Sequence, residues 1–235
     1  MVEKLPHTSK SRAIVQTAVV AGVSLVPGVG GSIAVILDKA LTYSDSKRRD
    51  AWLGSLASDL SDLIQQSGGP SLDRLGENPL FSDAVRRTTR IAETTSQEEK
   101  ILALRNAVLN SVASDSFDAD IQLIFLRNLE DFTASHLILL AFFDDPRAYF
   151  KQHSLQWPDK DTKIVPSSIV QQAFPNLKND IYDRLLSHLR AQGLINQTSP
   201  TLSAILTPLL ETQTTRLGRE FLAFITDPRD GRQPS

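Results

Sequence analysis

The chain has no cysteine among its 235 residues and a single methionine. That excludes disulfides, thiolate nucleophiles and every cysteine-ligated zinc or iron–sulfur site, and it fits a reducing compartment. Neither charge is in excess: 25 lysines and arginines stand against 27 aspartates and glutamates, for a net charge of −2. A protein that coats nucleic acid with an overall basic surface is thereby excluded. The four histidines (His7, His136, His153 and His188) are not paired at metal-ligand spacing. Neither a Gly-x-Ser-x-Gly elbow nor a His-Glu-x-x-His helix occurs. The chain reads as a non-enzyme with no cofactor and no metal. Its 41% hydrophobic content and its length suit one large or two small domains with a substantial core.

The longest apolar segment is near the start. Ala13 to Leu37 is a run of 25 residues without a charge, between Lys10 and Arg12 on one side and Asp38 and Lys39 on the other. A straight helix of that length could cross a bilayer core of roughly 30 Å. Pro27, Gly28, Gly30 and Gly31 interrupt it, combining a backbone clash with residues that have no side chain. The expected form is a helical hairpin, with one arm ending near Val26 and the other capped near Ser32. Three readings stay open for it: a buried hairpin, a hairpin that inserts into a membrane or a partner, and a signal or anchor. Gly28-x-Gly30-x-x-Ile33 lacks the third glycine of a dinucleotide loop, and no Gly-Lys-Ser/Thr follows, so nucleotide binding is rejected.

Helical spacing then dominates. Leu53, Leu56, Leu60 and Leu63 predict a long amphipathic helix ending at Gly68-Gly69-Pro70, with 68–79 as a loop. Lys47, Arg48 and Arg49 form a local basic cluster, read as a solvated helix face or as a contact for phosphate or anionic lipid head groups. Leu80 to Ile91 places Phe81, Ala84, Val85 and Ile91 on one side and Arg86, Arg87 and Arg90 on the other. Ser96 and Glu99 have capping-box spacing. Asp115, Asp118 and Asp120 precede another helix, where the macrodipole favours negative charge, so a metal site is not expected there. Residues 1–67, 80–132 and 133–227 are read as hairpin with long helix, helical bundle and C-terminal domain, and 228–235 as a tail.

In the C-terminal domain Thr133 caps an apolar helix that Asp145-Pro146 stops, and a polar loop runs through Trp157. A short helix over 169–174 follows, then a helix from Asn179 or Asp180 to Gly193. Strands are expected at Leu194-Ile195 and Thr201–Leu206, and a closing helix at 215–225. This is the element order of a winged helix with a small β-wing, so the expected fold is mainly α, with a hairpin and bundle ahead of that domain. From Ile164 to Asp227 five basic residues face five acidic ones. Asp180 and Asp183 lie on the helix that would enter a DNA groove, and residues 196–210 contain no lysine or arginine. A protein partner is therefore favoured over nucleic acid. Lys178, Asn179, Arg184 and Ser187 are the positions expected to touch DNA or that partner.

"EEKILALRNAVLNSV", "IFLRNLEDFTASHLILLAFFDDP" and "TRLGREFLAFI" resemble a group of helical bacterial proteins with an apolar "PGVGG" segment and a terminal winged helix. The resemblance spans most of residues 14–225. The chain is also similar to bacterial abortive-infection proteins that join helices to such a domain, which by analogy implies phage defence. Neither resemblance transfers a catalytic residue. The broken apolar segment and the poorly basic C-terminal domain lead to the expectation of a cytoplasmic interaction protein, peripheral to the inner membrane if the hairpin inserts. A DNA-binding regulator and a purely structural helical module are the alternatives.

Overall fold

The structure is a computed structural model that describes residues 47–67, 72–113, 117–157, 166–196 and 212–230. The hairpin break at Pro27, Gly28, Gly30 and Gly31 and most of the expected wing lie outside these residues. Ten α-helices are described: α1 (Lys47–Ser67), α2 (Leu72–Glu77), α3 (Pro79–Thr94), α4 (Glu98–Ala113), α5 (Ala119–Asp131), α6 (Ala134–Asp144), α7 (Pro146–Gln152), α8 (Pro166–Ala173), α9 (Asn179–Ala191) and α10 (Arg216–Phe224). The protein is mainly helical, as expected. Among the described residues no β-strand forms: the strand expected at Leu194-Ile195 is reduced to one isolated antiparallel bridge, Ile195 to Thr214, because the chain there pairs at a single residue before α10 begins.

The chain divides into two compact units. In the first, which includes Leu104–Leu126, α1 and α3 bury Leu56, Leu60, Phe81, Ala84 and Val85. Burying each large side chain is worth about 1.5–3 kcal/mol. Polar ties fix the pairing: Trp52 Nε1 donates to Thr89 Oγ1 at 2.9 Å. The Arg105 guanidinium holds the Asp59 carboxylate, with Nε at 2.7 Å. Asn78 caps α3 by accepting from the Leu80 and Phe81 amides, and Pro79 starts the helix, where its missing N–H costs nothing.

Two loops of the sequence reading are corrected. Residues 72–77 form α2 within the expected 68–79 loop, and Pro146 opens α7 within the loop expected through Trp157. Asp145 explains the second: it ends α6 and also caps α7, its carboxylate accepting from the Ala148 amide at 2.8 Å. A proline that stops one helix here sits at the first position of the next. The first helical bond of α4 runs from the Ile101 amide to the Gln97 carbonyl, one residue after Ser96. At α5, Asp118 accepts from the Asp120 amide at 2.9 Å, which is the helix-start role expected of that carboxylate.

The second unit holds Gln97–Ala103 and the residues from Arg127 on. Its centre is α6, which buries Leu137, Leu139, Leu140, Phe142 and Phe143, and α7, α9 and α10 pack on it. At the end of α9 the Gly193 amide bonds the Arg190 carbonyl, and the Leu194 amide bonds the Leu189 carbonyl. This paired closure needs a left-handed residue, and Gly193 supplies it at φ 69°. The Thr215 hydroxyl then donates to the Gly193 carbonyl at 2.7 Å and accepts from the Gly218 amide at 3.0 Å. One side chain thus ties the end of α9 to the start of α10.

Candidate functional site

Two features of the second unit stand out, an outward helix face and a pair of histidine rings behind it, of which His136 is buried. Helix α9 has Asp180 in its first turn and His188 and Arg190 in its last, the polarity its dipole prefers. Leu185, Leu186 and Leu189 turn inward and are buried. Tyr182 is largely inside, and burial pushes its hydroxyl up to about 12. Asp180, Asp183, Arg184, Ser187 and Ala191 form the exposed arc. Ile181, on the border of that arc, is 44% exposed.

His136 lies behind α9, on the first turn of α6, and is only 6% exposed. Its Nδ1 receives the Thr133 backbone N–H at 3.1 Å and lies 2.9 Å from the Thr133 hydroxyl. A backbone N–H can only donate, so this nitrogen is bare and the ring proton sits on Nε2. Nε2 is 3.2 Å from Nδ1 of His188 on α9, so His136 donates and His188 accepts. Phe132 stacks on His136 at 4.9 Å and meets His188 edge-on at 5.0 Å. On α4, Lys100 Nζ donates to the carbonyls of Glu130, at 3.1 Å, and Phe132. Burial holds that ammonium below the usual lysine range, against the pull of Asp131 and Glu130. Burial first, then His188 and Lys100, lower His136 to about 4.

The residues singled out by sequence fall in three places. Lys178, Asn179, Arg184 and Ser187 are all exposed, along the start and outward arc of α9, and Asn179 Oδ1 accepts from Gln171 at 3.4 Å. Lys47 opens α1. Arg48 donates to the Glu93 carbonyl at 3.4 Å, and Arg49 is 6% exposed, 4.0 Å from the Glu93 carboxylate. The solvated face expected for this cluster therefore does not include Arg49, which is buried beside the Glu93 carboxylate. The glycines and proline of the hairpin lie outside the described residues.

The sequence shows His136 and His188 only as histidines without metal-ligand spacing and does not pair them. The two histidines are 52 residues apart, so no local spacing links them. The available signal was Thr133-x-x-His136, which has the spacing of a capping box with histidine in the usual Glu or Gln position. Among the described residues no group of three His, Asp or Glu gathers as metal ligands would. Among the same residues no helix is long and apolar enough to cross a membrane. Compared with protein-family models, curated proteins and solved structures, the chain matches none.

Proposed function

We propose that residues 133–227 form a winged-helix-type interaction module that docks a protein partner through the outward face of α9. The observation that carries this reading is Ile181, 44% exposed on a helix whose other large aliphatic residues are buried or turned inward, beside the exposed carboxylates Asp180 and Asp183. Two carboxylates at the front of this helix repel a phosphate backbone, while an apolar anchor framed by charge suits a protein surface. The complementary partner offers an apolar socket edged by basic side chains. Support for the module itself comes from its order: α6, the short α7, α8, a five-residue turn, α9, then two segments joined by the Ile195–Thr214 bridge, then α10.

The test is in-cell crosslinking of the full chain, comparing wild type with Ile181→Asp and Arg184→Ala, alongside titration with duplex DNA across a salt series. A crosslinked protein lost in Ile181→Asp, with the fold intact, is the expected result. Tight DNA binding with a steep salt slope that flattens in Arg184→Ala would replace this reading with that of a DNA regulator. Residues 13–37 carry a separate part of the proposal, transfer of an apolar hairpin to a membrane. Flotation of the full chain with anionic vesicles reads it, and failure to float under any partner or pH condition removes it.

A further inference from the structure

The outward side of α3 is a row of arginines. Its inner side buries Phe81, Ala84, Val85 and Ile91, and its exposed charged residues are Arg86, Arg87 and Arg90. With 3.6 residues per turn the three share an arc of about 100°. The two carboxylates of the helix are drawn back from that arc. Asp83 and Glu93 are half-buried, and Glu93 lies 4.0 Å from the buried Arg49. Among the described residues no carboxylate forms an ion pair with Arg87 or Arg90.

Helix α1 extends the row. The two helices run antiparallel: Trp52 bonds Thr89 and, one turn nearer the start of α1, Arg48 donates to the Glu93 carbonyl. The exposed Arg48 therefore stands at the same end of the pair as Arg90. Asp50, in the same turn of α1, offsets one of these charges and leaves the balance basic. The apolar run joins the chain at this end, since its last residue, Leu37, comes ten positions before Lys47.

We propose that this face, Arg86, Arg87 and Arg90 together with Arg48, seats the protein on an anionic lipid surface. It deepens the membrane part of the function proposed above, and the choice of a bilayer as occupant rests on that reading. A protein partner is usually gripped by arginine together with large apolar side chains, and besides arginine α3 exposes only Pro79 and Thr94. Single-stranded nucleic acid is held by aromatic side chains on which bases stack, and the one aromatic residue of α3, Phe81, is buried. A bilayer asks only for cations facing one plane of head groups.

The test is flotation of the full chain with phosphatidylcholine vesicles that do or do not contain phosphatidylglycerol, at low and high salt. Three chains are compared: wild type, Arg87→Gln with Arg90→Gln, and Arg87→Lys with Arg90→Lys. Both positions are exposed, and melting temperatures confirm that each variant folds. At low salt wild type should bind the anionic vesicles at least about tenfold better than the neutral ones. The glutamine pair should bind them about tenfold or more weakly than wild type, since each cation at such a surface is worth about fivefold. That deficit should vanish at high salt, where the charges are screened. The lysine pair should bind like wild type, because head groups read the charge and not the guanidinium fork. Equal binding by wild type and the glutamine pair, loss in the lysine pair, or no preference for anionic vesicles would overturn the face. An effect of the glutamine pair on duplex DNA and none on vesicles would assign the face to nucleic acid instead. Insertion fails separately: a deficit at low salt with nothing bound at high salt keeps the face and removes the inserted hairpin. Salt-resistant binding shared equally by all three chains removes the face and keeps the hairpin.

Discussion

Ser154 shows how much a single backbone angle can matter. It follows α7 with φ at 53°, among the described residues the only residue other than glycine in the left-handed region. The turn is useful: the Ser154 amide reaches the Lys151 carbonyl at 3.3 Å and the Leu155 amide reaches the Phe150 carbonyl at 2.9 Å, which closes the helix as Gly193 closes α9. A Cβ in that region is strained, so Ser154→Gly should stabilise the protein by about 0.5–1 kcal/mol, measured by chemical denaturation. An unchanged midpoint would mean that the native turn carries no strain. Gly193 was legible as a helix stop because glycine is the usual residue there. Ser154 was not, because a serine in a polar stretch looks the same whether its φ is positive or negative.

At the level of elements, the close joint is between the strand-like segment after α9 and the first turn of α10. A Cβ built on Gly218 would lie 2.0 Å from the Leu194 carbonyl oxygen, a backbone atom that cannot swing aside. Gly218→Ala should therefore cost about 2 kcal/mol or more, lowering the melting temperature. Gly54→Ala is the matched control, because it sits inside α1 with nothing within 4 Å of the new methyl group. There the better helix former should raise stability by about 0.5–1 kcal/mol. Equal effects at the two sites would show that Gly218 is not packed against Leu194. Helix positions were legible from apolar spacing: in α3, Phe81, Ala84, Val85 and Ile91 are buried while Arg86, Arg87 and Arg90 are exposed. The helix stops were less legible. Pro79 and Pro146 read as breaks, yet each begins a helix, because the aspartate or asparagine before it supplies the cap.

For the molecule as a whole, proton linkage connects the buried ring to stability. His136 titrates at about 4 in the folded chain against 6.5 for an ordinary histidine. The unfolded chain therefore binds this proton more readily between those values. The contribution of the neutral ring to stability is fully present above pH 6.5 and is lost as pH falls through about 4. Subtracting His136→Gln from wild type removes the shared titration of the carboxylates. The difference in unfolding equilibrium should then shift against wild type by up to about tenfold per pH unit across that window, and a flat difference would refute it.

Some properties of this protein follow from local order in the chain. The absence of cysteine bounds its chemistry, apolar residues at three- and four-residue steps make it helical, and charges near helix ends match the dipoles. These are effects between residues a few positions apart, so a linear reading can find them. The burial of Arg49 against Glu93, the fit of Gly218 over Leu194 and the hydrogen shared by His136 and His188 join residues 44, 24 and 52 positions apart. Only the tertiary structure decided them, because each depends on which helix faces settle together once the core excludes water, and no spacing within the chain encodes that.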